Sequence, residues 1–193
     1  MGMSRKHLLM TGTIPPAMRL HATTTAPNQT VTLQKITPTG GTATVNWGDG
    51  QTTTIADANA NPITHAYASV GTYTVSISHP ERITTIDLRE NTLTVSSAGI
   101  KVCKNCTTLV LTGLKAGTFN SSDVSAWRPS IFHLYSMPTG YLGTFNSADI
   151  SAWRPVIFYL YSMPTGYLGT FNSADISAWR PSIFHLYSMP TGY

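Results

Sequence analysis

Charge is scarce in this sequence. Asp, Glu, Lys and Arg make up 10% of its 193 residues, and the net charge of +4 is scattered over single sites such as Arg5, Lys6, Arg19, Lys35, Lys101, Lys104 and Lys115. Nucleic-acid binding needs a clustered basic face, so no nucleic-acid partner is expected. Long apolar runs are missing too. A membrane-spanning helix takes about 18 or more consecutive apolar residues, so no membrane insertion is expected. After a basic start, only Leu8, Leu9 and Met10 precede Thr and Gly. That is short of the roughly 7–15-residue apolar core of a secretory signal. The expectation is an extracellular, cell-surface or virion protein without a visible N-terminal signal of that kind.

Cysteine is limited to Cys103 and Cys106, in KVCKNC. A structural zinc site needs four ligands, and neither a second pair nor a His couple lies nearby. The pair reads as small buried positions. No metal and no cofactor are expected. The motifs of common catalytic sites are absent as well: GxSxG, GxGxxG and the P-loop. Catalysis needs unlike groups converging in a pocket, whereas this chain offers like groups in rows, so no enzyme is expected.

What the sequence does have is repetition. Copies of GTFNSADISAWRPSIFHLYSMPTGYL start at the evenly spaced glycines Gly117, Gly143 and Gly169, and the last stops at Tyr193. Even spacing on that scale marks a solenoid or array, in which each unit buries its apolar side only against its neighbours. The copies differ at few places, Ser122/Ala148, Val124/Ile150, Ser130/Val156 and His133/Tyr159 among them.

Thr, Ser, Gly and Pro are plentiful, which suits β structure and tight turns. The fold expected is mainly β, with short strands and short helical turns. Residues 1–20 read as an arm, with Gly12 and Pro15-Pro16 breaking any helix. Residues 21–79 alternate in the β manner, as in Thr30-Val31-Thr32-Leu33 and Thr42-Ala43-Thr44-Val45. Gly48-Asp49-Gly50 after Trp47 is a hairpin signal.

Val45-Asn46-Trp47-Gly48-Asp49-Gly50, followed by His65-Ala66-Tyr67 and Gly71-Thr72-Tyr73-Thr74-Val75, resembles the PKD-type domain, an immunoglobulin-like β-sandwich of cell-surface and virion proteins. The resemblance covers about 60 residues. It implies structural roles, with Trp47 and Tyr73 in the core and His65 and Tyr67 holding a strand edge.

Residues 80–193 read as the solenoid. Ile83-Thr-Thr-Ile86-Asp-Leu88-Arg-Glu-Asn91-Thr-Leu93 fits the leucine-rich-repeat pattern LxxLxLxxNxL, in which inward leucines precede an Asn that bonds the turn backbone. Cys106, Leu109, Leu111 and Leu114 repeat that frame one coil further on. Coils are expected near 83–105, 106–131, 132–157 and 158–183, with a partial one at 184–193.

Two strand registers are open for the tandem copies. One needs no gap and puts Phe132, Tyr135 and Met137 where Cys106, Leu109 and Leu111 stand. The other turns Ile131 and Leu134 inward. On the far side of the coil, Asn146-Ser147-Ala148-Asp149 starts a short helical turn that Arg154-Pro155 ends. Phe145, Ile150 and Trp153 face inward, and Asp149 and Arg154 pair with neighbouring coils. The expected structural core is therefore Trp47, His65, Tyr67, Tyr73, Ile86, Leu88, Asn91, Leu109, Leu111, Phe145 and Trp153.

The candidate ligand-binding residues are the aromatic rows His133, Tyr159, His185 and Tyr141, Tyr167, Tyr193. Near-identical coils suit length and multivalency better than one shaped groove. The leading expectation is a structural repeat protein, a rigid rod assembling into a fibre through an uncapped solenoid end, with itself as partner. The alternative is an adhesin whose array recognises a surface glycan or protein.

Overall fold

A computed structural model describes residues 16–57 and 62–190. Tyr193 and residues 1–15 of the expected N-terminal arm lie outside the described residues.

The first seven strands are β1 (Met18–Thr24), β2 (Gln29–Leu33), β3 (Lys35–Pro38), β4 (Ala43–Asn46), β5 (Thr52–Ile55), β6 (Ile63–Tyr67) and β7 (Gly71–Ile77). Strand alternation places Met18, Leu20, Ala22 and Thr24 of β1 in the core, with Arg19 and His21 outside. β1 pairs antiparallel with β7 along its whole length, so residues 18–20, assigned above to the arm, belong to the sandwich. β4 and β5 form the hairpin expected at Gly48-Asp49-Gly50, closed by the Trp47 N–H donating to the Gln51 carbonyl at 3.0 Å.

The chain then runs through β8 (Ile83–Leu88), β9 (Leu93–Ser96), a one-turn helix α1 (Ser97–Ile100), β10 (Thr108–Thr112), β11 (Ala116–Thr118), β12 (Ile131–Tyr135), β13 (Gly143–Asn146), β14 (Ile157–Tyr161), β15 (Tyr167–Thr170) and β16 (Ile183–Tyr187). The odd and even members build two walls. In the front wall, β8, β10, β12, β14 and β16 lie side by side, all parallel. In the back wall, β9 and β11 are parallel, a Thr118–Leu142 bridge carries the wall on, and β13 and β15 are parallel.

Both walls start on the sandwich. β3 pairs antiparallel with β8, Ile36 opposite Ile86, and β1 pairs antiparallel with β9, Ala22 opposite Leu93. The sandwich sheet of β1, β7, β4 and β5 therefore continues into the back wall, and β3 alone ends the front wall, while β2 and β6 pair apart from both. A single hydrophobic core follows, running from Met18 to Trp179 without a break.

The front-wall register differs from both readings of the sequence. Leu109 stands opposite Ile86 and Phe132, and Leu111 opposite Leu88 and Leu134. Phe132 and Leu134 are fully buried, and Ile131, His133 and Tyr135 lie outside. The gap-free reading, with Phe132, Tyr135 and Met137 in the places of Cys106, Leu109 and Leu111, is thus corrected. The second was right on Leu134 and missed Phe132. Strand pleat is the physical cause: with period two, Phe132 and Leu134 share one face and their odd-numbered neighbours the other.

The step along the front wall runs from Leu109 to Phe132 and then, three positions longer, from Phe132 to Phe158. The added positions fall within Pro138–Leu142, because Gly113 and Ser136 still occupy equivalent left-handed positions, at φ 58° and 53°. An insertion in the turn between the walls leaves the front-wall register intact.

Candidate functional site

The outward side of the front wall carries the candidate residues. Row by row, Asp87, Val110, His133, Tyr159 and His185 are opposite one another along one line. Thr112, Tyr135, Tyr161 and Tyr187 make the next line. The rings stack. His133 and Tyr159 lie 4.3 Å apart between centroids, and Tyr159 and His185 lie 4.6 Å apart. Tyr135–Tyr161 and Tyr161–Tyr187 lie 4.7 and 4.6 Å apart, with planes inclined by 12° and 11°.

This spacing is that of parallel strands, so the wall itself sets the stack. Stacked in this way, each ring inside a column has both faces against its neighbours. Solvent meets ring edges and the ends of the tyrosines. The outermost rings, His185 and Tyr187, each have a neighbour on one side only among the described residues.

The sandwich end of the face is charged. Arg89 donates to both carboxylate oxygens of Asp87, at 2.7 and 2.8 Å. Burial, and then the Arg89 guanidinium, hold the His133 imidazole below its usual pKa, with Asp87 opposing. Its Nε2 is buried and has no hydrogen-bond partner. No neighbouring group here would make His133 a base towards a nucleophile.

The second candidate row lies elsewhere. Tyr141 and Tyr167 are fully buried under the turn between the walls, so as ligand-stacking residues they are corrected to core. Their rings fill the turn that the added positions create. Asn91 is also corrected, since it is exposed rather than core. Of the expected core, Trp47, Tyr67, Ile86, Leu88, Leu109, Leu111, Phe145 and Trp153 are fully buried, as is Ile150. His65 and Tyr73 are half-buried. Tyr73 stacks on Tyr67 at 4.0 Å, and His65 on Trp47 at 4.8 Å. His65 also pairs with Asp49 at 2.7 Å. Cys103 and Cys106 are buried free thiols, as their setting in the sequence indicates, and burial pushes the Cys106 thiol up to about 12.

The back wall holds residues that sequence reasoning missed. Ser97, Ser121 and Ser147 are buried, and each hydroxyl donates to the Asp of the next coil: Asp123 at 2.6 Å, Asp149 at 2.5 Å and Asp175 at 2.6 Å. Each also accepts the N–H of the next coil's Asn, at 2.9 Å for Asn120 and Asn146 and 2.8 Å for Asn172. The side-chain oxygens of Asn120 and Asn146 in turn accept the amides of Thr144 and Thr170. Backbone bonding by an Asn side chain, expected of Asn91 within its own turn, is thus carried here by Asn120 and Asn146, between repeats.

The Asn-Ser-x-Asp spacing in every copy was the available signal, and it marks more than a helix start. Tight 3₁₀ turns do begin there, at Ser121–Val124 and Ser147–Ile150. The expected pairing of Asp149 and Arg154 with neighbouring repeats holds for Asp149, through Ser121 rather than a charge, and is corrected for Arg154, which donates to the Ser151 and Trp153 carbonyls of its own repeat.

Residues 16–57 and 62–78 thus form an immunoglobulin-like β-sandwich with Trp47 and Tyr67 at its centre. The family model of the PKD domain matches residues 17–78, and this part of the chain is a PKD domain, a non-catalytic immunoglobulin-like family found in extracellular proteins. No curated protein and no solved structure matches the chain significantly. Among the described residues no helix is long and apolar enough to cross a membrane.

Proposed function

We propose that this chain is a non-enzymatic, extracellular structural repeat protein: a rigid rod in which a PKD domain heads a leucine-rich-repeat-like solenoid. It serves as an element of a cell-surface or virion fibre and associates with its own kind. The observation that supports this most is that strands of the PKD domain pair directly with both walls of the array, β1 with β9 and β3 with β8, under one unbroken core. A joint made of sheet hydrogen bonds and shared core resists bending in a way that a flexible linker does not. Equivalent residues in rows suit length rather than chemistry, which needs unlike groups converging.

Small-angle scattering from the purified protein tests this. An elongated particle of constant cross-section is expected. A compact globule, or two bodies moving independently about residues 79–82, would overturn it.

A second reading is favoured by the outward-facing columns of His133, Tyr159, His185 and of Tyr135, Tyr161, Tyr187, half-buried except at His185 and Tyr187: an adhesin face for a glycan or protein. Because ring faces inside the columns are covered, such a ligand would be met by ring edges and hydroxyls. Glycan-array binding lost on replacing His133, Tyr159 and His185 together by Ala supports it. Binding unchanged by that triple replacement counts against it.

A further inference from the structure

We propose that Arg128, Arg154 and Arg180 form a binding edge for a linear acidic polysaccharide, gripped through its carboxylates. The edge lies apart from the aromatic columns. The inference takes from the reading above only that the protein works outside the cell, where such polymers are met.

The three arginines hold one place in successive repeats. The Ser130 amide donates to the Thr107 carbonyl, the Val156 amide to that of Ser130 and the Ser182 amide to that of Val156. The residues two positions earlier, Asn105, Arg128, Arg154 and Arg180, therefore follow one another about a strand spacing apart. All three arginines are exposed, beside the buried Trp127, Trp153 and Trp179. Each is set in the same way, with Nη1 donating to two carbonyls of its own repeat. These are Ser125 and Trp127 at 3.2 and 2.6 Å, Ser151 and Trp153 at 2.8 and 2.5 Å, and Ser177 and Trp179 at 2.7 and 2.5 Å. The guanidinium is thus pinned, and its Nε and Nη2 edge has no protein partner among the described residues. Arg89 shows what that edge does with a carboxylate in reach: its Nε and Nη2 hold the two oxygens of Asp87 at 2.7 and 2.8 Å.

The array has no carboxylate to spare for the row. From Lys101 onward the acidic residues are Asp123, Asp149 and Asp175, against Lys101, Lys104, Lys115 and the three arginines. Each Asp accepts from the Ser ladder, and Asp123 also pairs with Lys101. Like charges a strand spacing apart repel one another, and an anion laid along them relieves this. At the sandwich end of the row, Lys104, Asn105, Cys106, Thr107, Ala126 and Arg128 line a cleft of about 360 Å³. There the exposed Lys104 adds a further cation. A polyuronate brings carboxylates in single file, and pinned forks meet them two-pronged with little further loss of side-chain freedom. A neutral sugar chain would leave the charge unmet.

Fluorescence anisotropy of a labelled linear polyuronate with the full 193-residue chain is the test. Binding is expected at low salt and should fall steadily as salt rises, because counterions are released on binding. A neutral glucan of the same length should not bind. Arg128→Gln, Arg154→Gln and Arg180→Gln together should weaken binding at least ~10-fold, since three charge-assisted contacts are lost. Ser130→Glu with Val156→Glu, at exposed sites two positions from Arg128 and Arg154, leaves every arginine bond in place and keeps the test independent of folding. The added carboxylates should weaken binding as well. No binding of the polyuronate, or binding indifferent to either variant, overturns the site. Equal binding of single-stranded DNA overturns the choice of a polysaccharide. Replacing His133, Tyr159 and His185 together by Ala should leave polyuronate binding unchanged, and a loss there moves the ligand to the columns and overturns the arginine edge. Scattering tests the rod separately.

Discussion

The hydroxyl of Ser147 donates to Oδ2 of Asp175 at 2.6 Å, and the same hydroxyl oxygen accepts the backbone N–H of Asn172 at 2.8 Å. One small buried side chain thus ties two groups of the next coil, and Ser97 and Ser121 do the same for their successors. Apolar stacking is non-directional and tolerates sliding, whereas a hydrogen bond to a fixed amide does not. The ladder therefore sets the register of the back wall.

Ser121→Ala should destabilise the protein by about 1–3 kcal/mol, because it leaves the Asn146 amide and the Asp149 carboxylate without their buried partner. Urea unfolding followed by circular dichroism reads this. Asp149→Asn alone, and combined with Ser121→Ala, completes a double-mutant cycle that should show strong coupling. Additive effects would mean that the ladder carries no register information.

Two backbone positions should respond in opposite directions. Ser162 sits at φ 52°, a left-handed conformation that strains a residue with a side chain, and Gly113 holds the equivalent place before the array. Ser162→Gly should stabilise by about 0.5–1 kcal/mol, the relief of strain exceeding the added freedom of the unfolded chain. Gly143 sits at φ 138°, and a Cβ there would lie 2.0 Å from the Phe119 carbonyl oxygen. Gly143→Ala should cost about 3 kcal/mol or more. Thermal melts of the two variants against the parent check both signs.

Acid should destabilise the native chain partly through His133. The folded state holds this imidazole below its usual pKa, by burial and by Arg89, with Asp87 opposing. The unfolded chain therefore takes up its proton first as pH falls. The sign follows: this contribution is complete above about pH 6.5 and is lost as pH drops through the lower folded value. His133→Tyr, the residue that the middle copy carries as Tyr159, should flatten the stability profile between about pH 7 and pH 5. An unchanged slope in denaturant titrations across that window would show that His133 does not titrate differently in the two states.

Much of this was readable in the chain. The even spacing of Gly117, Gly143 and Gly169, the inward Phe145, Ile150 and Trp153, and the WGDG and HAY…GTYTV segments each rest on local pattern, and local pattern is what a sequence displays. The strand register was not readable. Ile131, Phe132, Leu134 and Tyr135 are all apolar enough to face a core, so hydrophobicity alone could not choose the side. Tyr141 and Tyr167 looked like surface rings because Thr, Gly and Leu flank them, and only the turn that folds over them makes them core. The Ser–Asp–Asn ladder joins residues a whole coil apart, Ser121 to Asn146 and Asp149, beyond any local rule.

The back wall shows why such features wait for the tertiary structure. There Gly143 stands opposite Tyr167, and Phe145 opposite Gly169, two positions short of the full repeat that separates Gly143 from Gly169. The shift of two keeps inward residues inward and sets each coil's Gly against its neighbour's Phe. No single copy encodes that offset; it emerges when coils stack and backbones must approach.

By itself the sequence determined that a unit of one kind would recur, which residues were apolar, and that a PKD-type segment would precede the repeats. The tertiary structure decided which apolar residues became core, how far each repeat slid against the next, and that β1 and β3 of the PKD domain would pair with the two walls of the array. Composition and spacing are properties of one segment. Register and continuity are properties of two surfaces in contact, where ring packing, sheet pleat and buried hydrogen bonds must be met at once.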